Sequence, residues 1–209
     1  MGGRTRAGRG IYVRIEIRAP LERIWELTQD PGEHARWDLR FSSIRPIGEL
    51  PSGGYRFVYE RRMPLHTIRG TGTSIGERHG SDGARTSALR FDTLDRLSPL
   101  GDGRGYWRYE AAADGATTVF TTGFDYAPGW GRLADRLVLR RLIGWMTAWS
   151  FDRLRIWAET GEPPERWRLR SVLALWASGR PRAARCERRP PHPDVLAGAP
   201  AVPDRLEAP

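Results

Sequence analysis

At 209 residues the chain is long enough for one domain with a packed core and too short for two ordinary ones. Hydrophobic residues at 39% and charged residues at 28% are those of a soluble globular domain. No apolar run reaches membrane-spanning length and no signal-peptide core follows the N-terminus, so neither an integral membrane protein nor a secreted one is expected, and the protein is placed in the cytoplasm.

The net charge of +9 rests on arginine, since lysine is absent, and the arginines are spread from Arg4 to Arg205. A GC-rich coding sequence yields that composition without selection for a polyanion, so nucleic acid is not an expected partner. The lone Cys186 rules out an internal disulfide and thiolate metal clusters. His34, His66, His79 and His192 lie far apart and lack ligand spacing, so no metal and no cofactor is expected.

Residues 1–10, glycine and arginine, read as a flexible arm. Ile11, Val13, Ile15 and Ile17 then alternate with polar residues, the period of a half-buried strand. Pro20 suits a helix start, and Leu21, Ile24, Trp25 and Thr28 share one face of a short helix. Asp30-Pro31-Gly32 breaks it, and a second short helix runs through His34 and Trp37. Turn signals then bracket strands at about 41–49, 55–62, 66–76, 85–96, 105–113 and 116–126, largely antiparallel and joined as hairpins.

Gly129–Glu159 contains no proline and reads as one helix of about 45 Å. Its apolar face is expected to run through Trp130, Leu133, Ala134, Leu137, Val138, Leu142, Trp145, Trp149 and Ile156. Gly161 and Pro163-Pro164 end it. Residues 161–178 read as a short helical extension and 179–209 as an arginine- and proline-rich disordered tail. One late helix can cover only one face of such a sheet, which points to a pocket between them.

The run Val13-Arg14-Ile15-Glu16-Ile17-Arg18-Ala19-Pro20-Leu21-Glu22-Arg23-Ile24-Trp25-Glu26-Leu27, then Asp30-Pro31 and Trp37, resembles the opening of the START-like (SRPBCC) superfamily. Thr117–Tyr126 leading through Pro128-Gly129 into the long helix strengthens the likeness, which spans about residues 11–160. That superfamily includes polyketide cyclase/dehydrase-type, Bet v 1-like and lipid-transport proteins. The resemblance implies an α+β helix-grip fold, with a curved antiparallel sheet of about seven strands wrapped around a long C-terminal helix. It also implies a hydrophobic or amphipathic small molecule as ligand.

Alternation puts Tyr55, Phe57, Tyr59 and Arg61 on one strand face, Trp107 and Tyr109 on another, and Phe120, Thr122, Phe124 and Tyr126 on a third. The expected ligand-binding residues are Trp37, Tyr55, Phe57, Tyr59, Phe91, Trp107, Tyr109, Phe120, Phe124, Trp145 and Trp149. No catalytic motif stands out, and no catalytic residue is assigned. His66, Asp92, Asp125 and Tyr59 have the chemistry a polyketide aromatase/cyclase would need, the leading alternative. The third reading is a peripheral lipid or quinone carrier, touching a membrane surface weakly through the apolar and basic stretch around Trp167–Ala177.

Overall fold

The computed structural model describes residues 10–51, 54–77, 83–174 and 176–198. Its strands are β1 (Ile11–Ile17), β2 (Ser43–Glu49), β3 (Tyr55–Arg62), β4 (Thr67–Glu77), β5 (Arg85–Asp92), β6 (Leu100–Ala111) and β7 (Thr118–Pro128). They form one curved antiparallel sheet in the order β1-β7-β6-β5-β4-β3-β2. Successive strands from β2 to β7 pair as neighbours, while helices α1 (Leu21–Gln29) and α2 (Pro31–Trp37) carry the chain from β1 at one edge to β2 at the other. The Asp30 side chain caps α2, accepting the Glu33 N–H at 2.8 Å, and Pro31 occupies the first turn, where no N–H is required.

The stretch expected as a turn before residue 105 is instead the start of β6, with Leu100 opposite Pro128 and Gly103 opposite Tyr126. Its glycines serve side-chain packing. Gly70 lies opposite Tyr59, Gly72 opposite Phe57, and Gly103 opposite Phe91. A methyl group at any of the three would overlap the facing ring, so glycine lets the aromatics lie flat across the neighbouring strand.

The long helix begins at Arg132, three residues later than expected. It opens with a turn, α3 (Arg132–Ala134), passes through a π-helical stretch (Asp135–Leu139), and continues as α4 (Arg140–Thr160). Asp135 in the wide turn is buried and accepts bonds from the Tyr126 hydroxyl at 2.6 Å and Arg140 Nε at 2.8 Å. Gly161 closes α4 in the left-handed conformation, its N–H donating to the Trp157 carbonyl. Arg153 is buried and ties α2 to α4, donating to the carbonyls of Trp37, Arg36 and Pro164.

The chain after α4 corrects the expectation of a disordered tail. Trp167, Ala183, Cys186 and Val195 are buried, and short 3-10 turns replace the expected helical extension. Asp152 on α4 accepts the Arg182 N–H at 2.7 Å and Arg185 at 2.8 Å, and the Cys186 thiol donates to the Ala148 carbonyl. Glu187 then exchanges backbone bonds with Arg14 at the β1 edge, and Val195 packs over Gly123 on the convex side. Polar pairing to a buried carboxylate, which composition cannot reveal, orders this segment. The expected arm before Gly10 and the last residues, 199–209, lie outside the described residues.

Candidate functional site

A cavity of about 390 Å³ opens between the concave face of the sheet and the first turns of the long helix, a size suited to a small organic molecule. Tyr55, Phe57, Tyr59 and Arg61 all line it, as the alternation of β3 requires. Phe91, Trp107, Thr122 and Phe124 continue the wall, and Leu139, Leu142, Ile143 and Met146 close it from the helix.

Of the eleven expected ligand-binding residues, six therefore line the cavity: Tyr55, Phe57, Tyr59, Phe91, Trp107 and Phe124. The other five do not. Trp37 at the end of α2, and Tyr109 and Phe120 in the end of the sheet beneath α1 and α2, are fully buried. There Phe120 stacks on Phe151 at 4.5 Å and on Tyr109 at 5.0 Å, with Trp37 edge-on to both phenylalanines. The Tyr109 hydroxyl is satisfied by Thr28 at 2.7 Å and Gln29 at 2.8 Å. Trp145 and Trp149 stack on each other in the main core, away from the cavity. The π turn shifts the helical phase, and the segment after α4 covers the side of the helix that a two-layer packing would have left wet.

The proton-transfer candidates divide in the same way. His66 pairs with Asp95 at 2.7 Å, Asp125 pairs with Arg140 at 2.8 Å, and Asp92 caps Thr93, all three outside the cavity wall. Tyr59 lines the wall, and burial drives its hydroxyl pKa above the ordinary tyrosine value.

The residue that pattern reading passed over is His34. It stands on α2 one turn before Asp38, and its ring lines the cavity, stacked on Trp37 and edge-on to Phe41 and Trp107. His34 Nε2 lies 3.2 Å from Asp38 Oδ2, and Arg40 grips the same carboxylate at 2.6 Å. Burial lowers the His34 pKa below 6.5 despite the Asp38 bond that raises it. Asp38 is pushed up by burial, but the Arg40 guanidinium and His34 outweigh it and hold the carboxyl far below the usual range. The neutral ring thus donates from Nε2 to Asp38 and keeps a lone pair on Nδ1. Arg61 adds a guanidinium to the same wall; burial lowers its pKa while Asp38 opposes. The spacing His34–Asp38, four apart on a helix, was the one signal of this pair in the sequence.

A more open cleft beside α1 and Trp157 is lined by Arg23, Glu26, Asp30, Glu33 and Arg36, whose charges pair largely with each other.

Comparison with known proteins agrees with this geometry. A Bacillus subtilis (strain 168) protein named "Uncharacterized membrane protein YndG" is 40% identical over 167 residues, covering 78% of this chain, which spans 62% of that protein. Its name overturns the expectation of a cytoplasmic protein, although no helix among the described residues is long and apolar enough to cross a membrane. Among solved structures, the di-domain ARO/CYC BexL matches 71% of this chain and 45% of its own at TM-score 0.53 and 13% identity. A STAR-related lipid transfer protein from Xanthomonas axonopodis matches 74% of this chain and 88% of its own at TM-score 0.51 and 15% identity. The Zhui aromatase/cyclase from a Streptomyces species matches 74% and 98% at TM-score 0.50 and 14% identity. These three share the fold. The family model for "Polyketide cyclase / dehydrase and lipid transport" matches residues 9–159, and it is to that family, with the helix-grip fold seen here, that the chain belongs.

Proposed function

We propose that this protein binds a hydrophobic or amphipathic small molecule in the cavity between the sheet and the long helix. The observation that carries this reading is an aromatic-walled space of about 390 Å³ left open between the sheet and the long helix. Close packing is the norm for interiors, so a void of this size lined by apolar rings favours an occupant. Native mass spectrometry of the purified protein should reveal a co-purified ligand. An apolar fluorescent probe should bind saturably, quench tryptophan emission through Trp107 and Trp130 on the wall, and respond little to salt. Absence of both a co-purified ligand and saturable probe binding would remove the proposal.

A second reading, proton transfer of the cyclase type, is favoured by His34 on the cavity wall, with Asp38 behind it bonded to its ring. A neutral imidazole backed by a carboxylate can accept a proton from an enolisable ligand and hold the resulting charge. His34→Gln should then abolish turnover of a polyketone substrate while the apolar probe still binds; unchanged turnover would sink this reading. The same pair predicts an acid-sensitive fold. Because His34 has a lowered pKa when folded, the unfolded chain takes up its proton more readily. Stability should fall as pH drops below 6.5 toward the lower folded value, and His34→Gln should flatten that slope.

A further inference from the structure

The first turns of the long helix leave an apolar surface uncovered. Trp130, Leu133, Leu137, Val138 and Leu142 are all exposed, Leu133 at 71% and Val138 at 59%. Arg132, Arg136 and Arg141 are exposed among them. The acid of this stretch, Asp135, is buried and bound by Tyr126 and Arg140, so residues 130–142 present only apolar and cationic side chains to solvent.

Neither part of this surface helps the isolated fold. Exposed leucines forgo the stabilisation that burial supplies, and arginines in the opening turns oppose the helix dipole. The surface also surrounds the mouth of the cavity, because exposed Trp130 and Leu142 line that cavity together with exposed Leu97 and Leu169.

We infer that this face docks on an anionic lipid surface. The apolar side chains enter the boundary between headgroups and acyl chains while Arg132, Arg136 and Arg141 meet the lipid phosphates. The cavity mouth then opens onto the bilayer, and an apolar ligand passes between the two without crossing water. Charge selects this occupant over a second copy of the chain, since a two-fold contact through the same patch would set its arginines against each other. The docking itself does not depend on the ligand reading, and it places the contact on the long helix as well as on the extension, where Leu169 meets the mouth.

Flotation of the full chain with vesicles decides the matter. The protein should bind vesicles of mixed phosphatidylglycerol and phosphatidylcholine and bind phosphatidylcholine alone much more weakly. Joint replacement Arg132→Gln and Arg136→Gln should weaken binding to the anionic vesicles about thirtyfold, from two arginine contributions near an anionic surface. Joint replacement Leu133→Ser and Leu137→Ser should weaken it about tenfold or more. Both variants alter exposed positions outside the cavity wall, so both should retain the fold and apolar-probe binding. Failure of the unaltered protein to bind anionic vesicles, or unchanged binding by both variants, overturns the inference. So does a concentration-dependent dimer that Leu133→Ser and Leu137→Ser dissolve, which would assign the face to a second copy. Loss of probe binding with vesicle binding intact would strike the ligand reading alone.

Discussion

Replacing Asp152 with alanine should destabilise the protein by about 3–5 kcal/mol and release the chain beyond Arg180 from the long helix. Asp152 is fully buried, and its two oxygens accept from Arg155 Nε at 2.6 Å, the Arg182 N–H at 2.7 Å and Arg185 at 2.8 Å. Truncation takes the acceptor away from a part-buried backbone N–H and from Arg185, and leaves Arg155 with Glu159 alone. Arg155 and Arg185 keep some contact with solvent, at 18% and 38% side-chain exposure, which places the loss toward the lower end of that range. Denaturant unfolding measures the first effect. Trypsin measures the second: the bonds after Arg182, Arg185 and Arg188 should be cut early in the variant and late in the natural protein. A variant whose tail remains protected would show that apolar contacts at Ala183, Cys186 and Val195 hold the segment by themselves. The thiol should stay inert in the natural protein, because burial first and Asp152 second push its pKa up to about 12.

Phe120→Ala should also cost about 3–5 kcal/mol, yet leave probe affinity nearly unchanged. The ring is fully buried, stacked between Phe151 and Tyr109, and has no cavity surface to lose. Phe57→Ala should do the reverse. Its ring lies over Gly72 with one side on the cavity, so truncation enlarges the cavity and changes probe affinity at a smaller stability cost, because fewer packing contacts are lost. Paired measurements of unfolding free energy and probe titration separate the two. Equal shifts in probe affinity would mean that the division between packed end and open end does not hold in solution.

Much of the architecture was legible in the residues alone. The alternation of Ile11, Val13, Ile15 and Ile17 and of Tyr55, Phe57, Tyr59 and Arg61 places each side chain on the face where it is found, because strand geometry leaves a side chain only two directions. The absence of proline through the long helix and the glycine-proline stop after it were equally local signals. Where the sequence misled, glycine did two jobs: at residues 101–105 it resembled a turn, while in the sheet it makes room for rings on the neighbouring strand.

What a face reveals is direction, and direction does not decide whether a ring fills a core or walls a void. Trp107 and Tyr109 point the same way from β6, yet one meets the cavity and the other lies beneath α1, because the short helices cover only one end of the sheet. Trp145 and Trp149 were misassigned because one π turn changes the phase of every residue after it, and because the distant segment around Ala183 and Cys186 buries the outer side of the helix. The pairing of Asp152 with that segment joins residues whose neighbours along the chain carry no trace of the contact, and the spacing of His34 and Asp38 does not reveal that the His34 ring meets the cavity. Local periodicity determined the elements and the direction of their side chains; the space left between three packed elements, and the buried charges that order the last one, exist only once the tertiary structure has formed.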